Sequence, residues 1–477
     1  MKNTIQIKLF ILLLLTVVSL GSCEISDPVK PVEEEKDPAI TWIDETMRKW
    51  YLWEDEIPAA EKLDYKLGAE EFFASLLSDK DGKGEANSHY YYSSINKKQT
   101  ASKGYHGDAY SYGFEFQYYN LTHNGSTLYY VLQVLYVLPD SPAAEKGMKR
   151  GDWIMQINRQ PIPGNTLDLL NALDTSTPTA TVFGLNDELP KTPTAKTEIT
   201  MTPRMVVDNP VFVDTTFVYG SGKHRISYLA FNHFTAGRSD GDETFHNSLR
   251  KAFAGFKSNS PEDFILDLRY NQGGLVRTAQ ILTTMLAPAS AMNNIFCRFA
   301  YNKKFQGARD SMLLDPRLIK DGTAGANLDL KRIFIITSNR TASASEAVIN
   351  GLEPYMRGQV ILVGSKTEGK NVASNTFSDD KYDWELHPII SRISNKDDFS
   401  DYANGFQPAY ACVETAQDIL YELGDVREFM LKQVLDYIVD GKPIDNGLRA
   451  MHAADMPELV PVYCSIERRG NDLIMGN

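Results

Sequence analysis

The residues best suited to chemistry lie where an apolar run meets a segment of small, helix-forming residues. The run Ile-Phe-Ile-Ile-Thr at 333–337 leads through a polar turn into Ala-Ser-Ala-Ser-Glu, which contains Ser343 and Ser345. A serine at such a strand-to-helix corner can act as a nucleophile, because N–H groups at the helix N-terminus face the charge that develops on an attacked carbonyl oxygen. Serine before a helix is also a common N-cap, so the local pattern leaves both serines open to a structural role.

A nucleophilic serine needs a base. The chain has eight histidines, and no local motif singles one out, although a triad histidine can lie far away in sequence. Lysine is the alternative if burial keeps its amine neutral near the working pH. Lys370 follows the strand-like run at 359–364, within Thr-Glu-Gly-Lys-Asn at 367–371. Considered alone, it has the features of a routine surface lysine.

Three motifs in a fixed order resemble the C-terminal processing peptidases, also called tail-specific proteases. They are Asp-Leu-Arg-Tyr-Asn-Gln-Gly-Gly at 267–274, Thr-Ala-Ser-Ala-Ser-Glu at 341–346 and Gly-Lys at 369–370. Order, content and spacing all agree with the family pattern, and the resemblance covers roughly residues 40–440. It implies a serine peptidase that acts on polypeptides and has a PDZ domain upstream of its catalytic motifs.

The resemblance also implies roles for single residues. Ser343 would attack the scissile carbonyl, and Lys370 would take its proton and later protonate the leaving amine. The N–H of Ala344, with one from Gly273 or Gly274, would form the oxyanion hole, where removal of one donor typically costs about 10²–10³ in rate.

Two further positions would support this pair of residues. Glu346 matches a family glutamate near the serine and lysine, and we expect it to hold them without contacting substrate. Many members carry Gln four residues after the lysine, where this chain departs from the pattern and has Ser374. A serine there can still accept a hydrogen bond from the lysine amine, with a shorter reach.

A segment upstream of the catalytic motifs resembles the middle of a PDZ domain. Residues 139–158 predict a short helix after Ser-Pro-Ala, a Gly-Asp turn and a strand. Before it, Ser-Tyr-Gly-Phe at 111–114 resembles the carboxylate-binding loop of PDZ domains, which usually has the sequence Gly-Leu-Gly-Phe. The resemblance implies that Tyr112, Gly113 and Phe114 bind a substrate C-terminus, whose backbone pairs with the neighbouring strand edge. The alternatives are a plain hairpin that binds nothing and a regulatory lid.

These residues need elements to position them, and the patterns predict such elements. Helical spacing of apolar residues predicts a helical region over 39–98. From 225 to 445, apolar runs alternate with amphipathic stretches, which favours a sheet covered by helices. The expected strands are 225–231, 263–268, 332–337 and 359–364, and the expected helices are 243–256, 275–286, 343–356 and 416–439. The fold class is therefore α/β (α+β) and multidomain, with a helical N-terminal region, a PDZ-like β-rich domain and an α/β serine peptidase domain.

The N-terminus is typical of an exported protein. Lys2 and Lys8 precede an apolar run at 9–20, which fits a secretory signal and is too short for a membrane span. Leu-Gly-Ser-Cys at 20–23 resembles the lipobox of bacterial lipoproteins, which implies cleavage before Cys23 and acylation of its thiol. We therefore expect a lipid anchor in the bacterial cell envelope, on the periplasmic or outer side. The alternative is an ordinary cleavage site that Cys23 merely follows.

The composition argues against other classes of function. A formal net charge of −13 argues against a nucleic-acid partner, since nucleic-acid footprints are basic. Besides Cys23 there are Cys297, Cys412 and Cys464, and an odd number cannot form a fully paired disulfide framework. The sequence has no His-Glu-x-x-His and no dinucleotide fingerprint, so we expect no metal and no organic cofactor.

We expect six segments along the chain. They are a signal peptide (1–22), an acidic tether (23–38), a helical N-terminal domain (39–105), a PDZ-like domain (106–205), the catalytic domain (206–445) and a C-terminal extension (446–477) that packs along the surface.

Three functions compete on these grounds. The leading one is an endopeptidase that captures an unstructured, C-terminal tail and cleaves nearby. The second is a catalytically inactive or gated binding lipoprotein on the same scaffold. The third is a surface lipoprotein that gathers nutrients such as glycans, which leaves the three ordered motifs unexplained. Activity on an unfolded protein separates the first from the others.

Overall fold

The computed structural model describes residues 36–84, 89–98, 108–189, 191–239, 241–305, 307, 309–320, 324–415, 419–445, 457–469 and 473–474. The predicted signal peptide, Cys23 and most of the acidic tether lie outside these residues. Within the ranges described, no helix is both long enough and apolar enough to cross a membrane.

The N-terminal region is helical in two segments and is attached to the catalytic region by a strand. Its elements are α1 (Pro38–Trp50), α2 (Ala69–Ala74) and β1 (Ser94–Lys97). Asp37 caps α1 by accepting the N–H of Ala39 at 2.8 Å, and Pro38 suits the first turn, where no N–H is needed. The helix expected across 39–98 is therefore wrong at its end, because β1 pairs antiparallel with residues 384–387 and shares their core.

The PDZ-like region contains two short helices and two antiparallel sheets, of which the smaller is a pair formed by its first and last strands. Its elements are β2 (Asp108–Ser111), β3 (Phe114–His123), β4 (Ser126–Val137), α3 (Pro142–Glu145), β5 (Trp153–Ile157), β6 (Gln160–Pro161), α4 (Thr166–Ala172), β7 (Thr181–Asn186), β8 (Thr197–Met201) and β9 (Arg204–Val207). Asn124 and Gly125 both have positive φ, as the two-residue turn that joins β3 to β4 requires. Ser141 caps α3 by accepting the N–H of Ala144 at 3.2 Å.

The described residues of the catalytic region contribute strands to two six-stranded sheets and to a three-stranded sheet shared with β1, and they form four helices. Its elements are β10 (Val211–Tyr219), β11 (His224–Phe231), α5 (Thr244–Asn259), β12 (Asp263–Asp267), β13 (Gly274–Leu275), α6 (Val276–Leu286), β14 (Ile295–Tyr301), β15 (Arg309–Leu313), β16 (Ile333–Thr337), α7 (Ala344–Leu352), β17 (Val360–Gly364), β18 (Val372–Ser374), β19 (Phe377–Ser378), β20 (Trp384–His387), β21 (Ile389–Ser394), β22 (Tyr410–Ala411) and α8 (Phe429–Asp440). In the main sheet, β11, β12, β16, β17 and β22 run parallel in that order, and β10 pairs antiparallel at the β11 edge.

The strand predictions in this region are confirmed, and one helix prediction is not. The helix expected over 416–439 begins only at Phe429. Glu428 caps it by accepting the N–H groups of Met430 and Leu431. Gly424 has a φ of +86°, which interrupts any helix before Phe429, and the Glu428 carboxylate also forms a buried ion pair with Arg269. That contact is distant in sequence, and local periodicity does not report it.

The C-terminal extension does not simply lie on the surface. Residues Glu458–Cys464 form β23, which adds antiparallel to β3 and completes the sheet order β23-β3-β4-β5-β7-β8. Cys464 and Ile466 are fully buried. Leu473–Ile474 forms β24, which lies between β13 and β18 in a third sheet. Residues 458–463 are exposed or half-buried along the edge of β3, as a segment that packs on the surface would be, and the chain enters the core only from Cys464 to Ile466.

Candidate active site

Ser343 lies at a strained corner between β16 and α7. Its φ is 62° and its ψ is −113°, a conformation that non-glycine residues rarely adopt and that persists only when neighbouring contacts impose it. Its N–H donates to Glu346 Oε2 at 2.9 Å. Its Oγ is buried and makes no hydrogen bond in the part of the chain that the structure describes. The corner therefore holds a serine hydroxyl that no structural contact uses.

The neighbouring serine is engaged elsewhere. Ser345 Oγ donates to the carbonyl of Asn271 at 3.0 Å, and the N–H of Ala342 donates to the same carbonyl at 3.2 Å. These bonds join the start of α7 to the loop after β12. Of the two serines that the local pattern left open, Ser345 has the structural contact.

One carboxylate joins the serine segment to the lysine segment. Glu346 Oε2 accepts the main-chain N–H of Ser343 at 2.9 Å and that of Lys370 at 2.8 Å. Glu346 Oε1 accepts the hydroxyl of Thr367 and the N–H of Gly369, both at 2.6 Å. The carboxyl is fully buried, and burial raises its pKa to about 7 while the four hydrogen bonds act in the opposite direction. Glu346 thus fixes the backbone of Ser343 relative to that of Lys370.

Lys370 is fully buried, and an aromatic ring from the N-terminal region faces its amine. Its Nζ lies 4.8 Å from the centroid of the Tyr92 ring. The Tyr92 hydroxyl donates to Glu368 Oε1 at 3.2 Å, and the Tyr90 hydroxyl donates to the same oxygen. Burial, together with the Glu368 charge, raises the pKa of both tyrosines above the usual range, so both remain neutral donors.

Two adjacent glycines make close approaches that leave no room for a side chain, Gly273 to Ser343 and Gly274 to Phe234. A Cβ at Gly273 (φ +114°) would be 2.7 Å from Ser343 Cβ, and one at Gly274 (φ +134°) would be 2.4 Å from the carbonyl oxygen of Phe234. The N–H of Gly273 donates to Asn271 Oδ1 at 2.9 Å. The parallel bridge from Phe234 to Gly274 uses the Gly273 carbonyl and the Leu275 N–H. The N–H and carbonyl of Gly274 therefore point away from Phe234, toward the other edge of β13.

Ala344 and Ser374 are both buried near the proposed site, and their roles stay predictions. Ala344 is the first residue of α7, where N–H groups have no intrahelical partner, and it is fully buried. Ser374 is fully buried in β18, four residues after Lys370, and is paired with Ile389 and Ile474.

A buried ion network supports the loop that carries the glycines. Arg269 contacts Asp267 through Nε at 3.0 Å and Glu428 through both terminal nitrogens, at 2.8 and 2.9 Å. Arg150, from the PDZ-like turn, pairs with Glu414. These ion pairs hold the pKa of Glu428 below its usual value despite burial. The network connects the Asp-Leu-Arg motif to α8.

The predicted peptide-binding loop is largely committed to contacts within the fold. The Tyr112 hydroxyl bonds Thr181 Oγ1 at 2.7 Å, and the N–H of Gly113 donates to Ser111 Oγ at 2.9 Å. Gly113 has a φ of +85°, and a Cβ there would be 2.0 Å from Ser141 Cβ. Phe114 is buried in the core. Binding of a substrate C-terminus by Tyr112, Gly113 and Phe114 stays a prediction.

A cavity of about 480 Å³ opens beside Lys370. Its walls come from the N-terminal region, the catalytic region and the C-terminal extension, and its lining includes Tyr90, Tyr92, Gln272, Arg340 and Glu467. Among the described residues, no group of three or more His, Cys, Asp or Glu side chains is placed to hold a metal ion.

Sequence reasoning missed Tyr92 and the C-terminal strands. The run Tyr90-Tyr91-Tyr92 is visible in the sequence, but no spacing relates it to Lys370, which lies in another region of the chain. Pairing of β23 with β3 joins residues that are even farther apart. Such contacts exist only once the chain is folded.

Comparisons with known proteins match three parts of the chain. The model of peptidase family S41 matches residues 225–410, the model of the peptidase S41 N-terminal domain matches residues 39–112, and a PDZ domain model matches residues 133–185. A crystal structure of a protein described as an S41 protease, from Bacteroides fragilis, is 30% identical and superposes with a TM-score of 0.70. The match covers 84% of this chain and 97% of that chain.

Curated relatives match over a shorter length. A carboxyl-terminal-processing protease of Picosynechococcus is 26% identical over 273 residues, which are 55% of this chain and 59% of that protein. A carboxy-terminal-processing protease of Bartonella bacilliformis is 28% identical over 252 residues, which are 50% of this chain and 49% of that protein. The chain thus spans between half and three fifths of these two relatives.

Proposed function

The chain belongs to peptidase family S41, and on this basis we propose that it is a serine endopeptidase of the C-terminal processing type. Ser343 is the nucleophile and Lys370 is the general base. One observation carries the proposal: the Glu346 carboxylate accepts the N–H of both residues, so two segments far apart in sequence are held in one geometry.

The chemistry follows from this geometry. Ser343 Oγ attacks the scissile carbonyl carbon and gives its proton to Lys370 Nζ. The resulting ammonium protonates the leaving amine, and an acyl group stays on Ser343 until water, deprotonated by the same lysine, releases it. The Tyr92 ring faces the lysine amine and stabilises the ammonium once it forms.

The oxyanion hole is assigned to main-chain donors. Ala344 supplies one N–H from the start of α7, where the helix dipole also favours negative charge. A glycine after the Asp-Leu-Arg motif supplies the other. Because Asn271 already engages the N–H of Gly273, the pattern of hydrogen bonds favours Gly274.

Substrates are proposed to be polypeptides with unstructured C-terminal segments. The lining of the cavity beside Lys370 includes Tyr90, Tyr91 and Tyr92 together with polar side chains, which suits an extended peptide. In this proposal the PDZ-like region binds the substrate C-terminus along β3, near Tyr112, Gly113 and Phe114. The protein is exported, with Cys23 as its lipid attachment to the cell envelope.

The test uses a form that begins after Cys23, with Ser343→Ala, Lys370→Ala and Ser345→Ala variants that melt at the same temperature. Each is incubated with an unfolded protein, and the fragments are identified by mass spectrometry. We expect cleavage by the parent and by Ser345→Ala, and none by the other two. Cleavage that persists in Ser343→Ala would move the nucleophile elsewhere.

The second candidate is a gated or inactive binding protein on the same scaffold. The observation that favours it is the C-terminal extension, whose strands lie on β3 and beside Gly274. Cleavage by no form, with peptides as well as with proteins, would favour inactivity over the peptidase.

A further inference from the structure

The outer edge of β3 is already occupied by the chain itself. Without β23, β3 would be an edge strand whose unpaired N–H and C=O groups could accept another strand. In the observed register, Cys464 lies opposite Gln117 and Glu458 lies opposite Thr122. The Phe116 N–H donates to Ser465 Oγ at 2.8 Å, and Gln117 Nε2 donates to the Tyr463 carbonyl at 2.9 Å. A second peptide cannot pair with the same edge at the same time.

The direction of β23 is that of a C-terminal peptide bound to a PDZ domain. Because β23 is antiparallel to β3, it runs toward Phe114 and the loop at 111–114. A peptide that adds to this edge with its C-terminus at the loop takes the same course. After Cys464, the chain turns into a short 3₁₀ helix (Ser465–Arg469), whose Ser465 Oγ accepts the Phe116 N–H. The extension therefore follows the path of the proposed substrate along β3.

The same extension reaches the active site. β24 lies between β13, which begins with Gly274, and β18, which follows Lys370, and it pairs parallel with both. The parallel pairing of Gly274 with Leu473 places the Ile474 N–H opposite the Gly274 carbonyl. This is the edge to which the N–H of Gly274 also points. The backbone of the extension thus lies where a substrate strand must pass the proposed oxyanion donor.

We infer that the two edges form one extended peptide-binding surface, and that residues 457–469 and 473–474 are its resident occupant, which a polypeptide substrate must displace. This inference rests on the proposed function and identifies the segment that controls access of substrate to the proposed site. A segment tethered to its own site competes at an effective concentration on the order of millimolar. Substrates that engage both edges at once therefore compete with the extension more effectively than short peptides that engage only one edge.

A reversible crosslink tests whether the extension must leave. Gln117→Cys places a thiol opposite the native Cys464 in the full-length chain. Oxidation with diamide would join β3 to β23, intact mass would verify the bond, and dithiothreitol would open it. Gln117→Ser is the matched control, since it loses the same amide contacts and cannot crosslink. The readout is hydrolysis of a quenched fluorescent peptide and of an unfolded protein.

We expect oxidised Gln117→Cys to cleave the unfolded protein at least tenfold more slowly than the same sample after reduction. The cleavage rate of Gln117→Ser should change with neither diamide nor dithiothreitol. Equal rates in the crosslinked and reduced states would overturn the inference and make β23 a fixed part of the sheet. No hydrolysis by any form, reduced or parental, would refute the proposed function itself and the inference with it.

A second pair of variants tests the active-site end without a crosslink. Ile474→Pro removes the N–H that faces the Gly274 carbonyl, whereas Ile474→Ala keeps it. We expect kcat/KM for a short peptide to rise at least threefold in Ile474→Pro relative to Ile474→Ala. Equal values in the two variants would show that β24 does not obstruct the site and would overturn that half of the inference.

Discussion

Replacement of Glu346 by Gln changes both the activity and the pH dependence of stability. The carboxylate accepts four hydrogen bonds, two on each oxygen. A Gln oxygen can still accept the N–H groups of Ser343 and Lys370, and its NH₂ can donate to the Thr367 hydroxyl. The N–H of Gly369 then faces another donor. An unsatisfied buried donor costs about 1–3 kcal/mol, and the segment before Lys370 must shift to relieve it.

The stability difference depends on pH because burial raises the pKa of Glu346 from 4.5 to about 7. Below pH 4.5 the carboxyl is protonated in both the folded and unfolded states. As the pH rises through 7, the unfolded chain ionises first and the folded state loses stability. A shift of this size corresponds to about 3 kcal/mol. Gln does not titrate, so the parent should lose about 3 kcal/mol relative to Glu346→Gln between pH 4.5 and 7.5.

Urea unfolding at several pH values, followed by tryptophan fluorescence, measures this difference. Peptide hydrolysis measures the catalytic effect, and we expect kcat to fall by about 10–100-fold with little change in KM, because Glu346 contacts the proposed catalytic backbone and not substrate. Glu353→Gln, at the other end of the same helix, is the control. A stability difference that stays flat between pH 4.5 and 7.5 would refute the raised pKa, and unchanged kcat would refute the positioning role.

Three more perturbations follow from the same contacts. Tyr92→Leu removes the ring 4.8 Å from Lys370 Nζ, so kcat for a peptide should fall by about 3–30-fold, while Tyr92→Phe stays near the parent; equal rates in both would contradict a role for the ring. Gly273→Ala places a Cβ 2.7 Å from Ser343 Cβ, so hydrolysis should fall at least about 100-fold with an unchanged circular dichroism spectrum; retained activity would show that this approach is not needed. Arg269→Met leaves buried carboxylates unpaired and should lower the free energy of unfolding by about 3–5 kcal/mol at pH 7, as read from urea midpoints, and by less at pH 4; a loss independent of pH would argue against the ion pair.

Much of the catalytic region could be predicted from local patterns. Apolar runs bounded by turns predicted the strands β11, β12, β16 and β17, because strand periodicity and turn chemistry act over a few residues. The motifs also predicted which residues come together, and the structure places Gly273 and Glu346 against Ser343. The start of α8 was predicted too early, because Gly424 with its positive φ breaks the segment before Phe429 and the capping Glu428 is also paired with the distant Arg269.

The sequence by itself determined the family resemblance, the class of fold and the candidate serine and lysine, since these depend on residue type and order. The tertiary structure alone decided three things: that Ser345 is held by Asn271 while Ser343 is not, that Tyr92 faces Lys370, and that the C-terminal extension lies along β3. Each depends on pairing between segments that are remote in the chain. The sequence does not show which strand lies at the edge of a sheet. Only the folded arrangement of the other strands shows which edge is free for a remote segment to pair with.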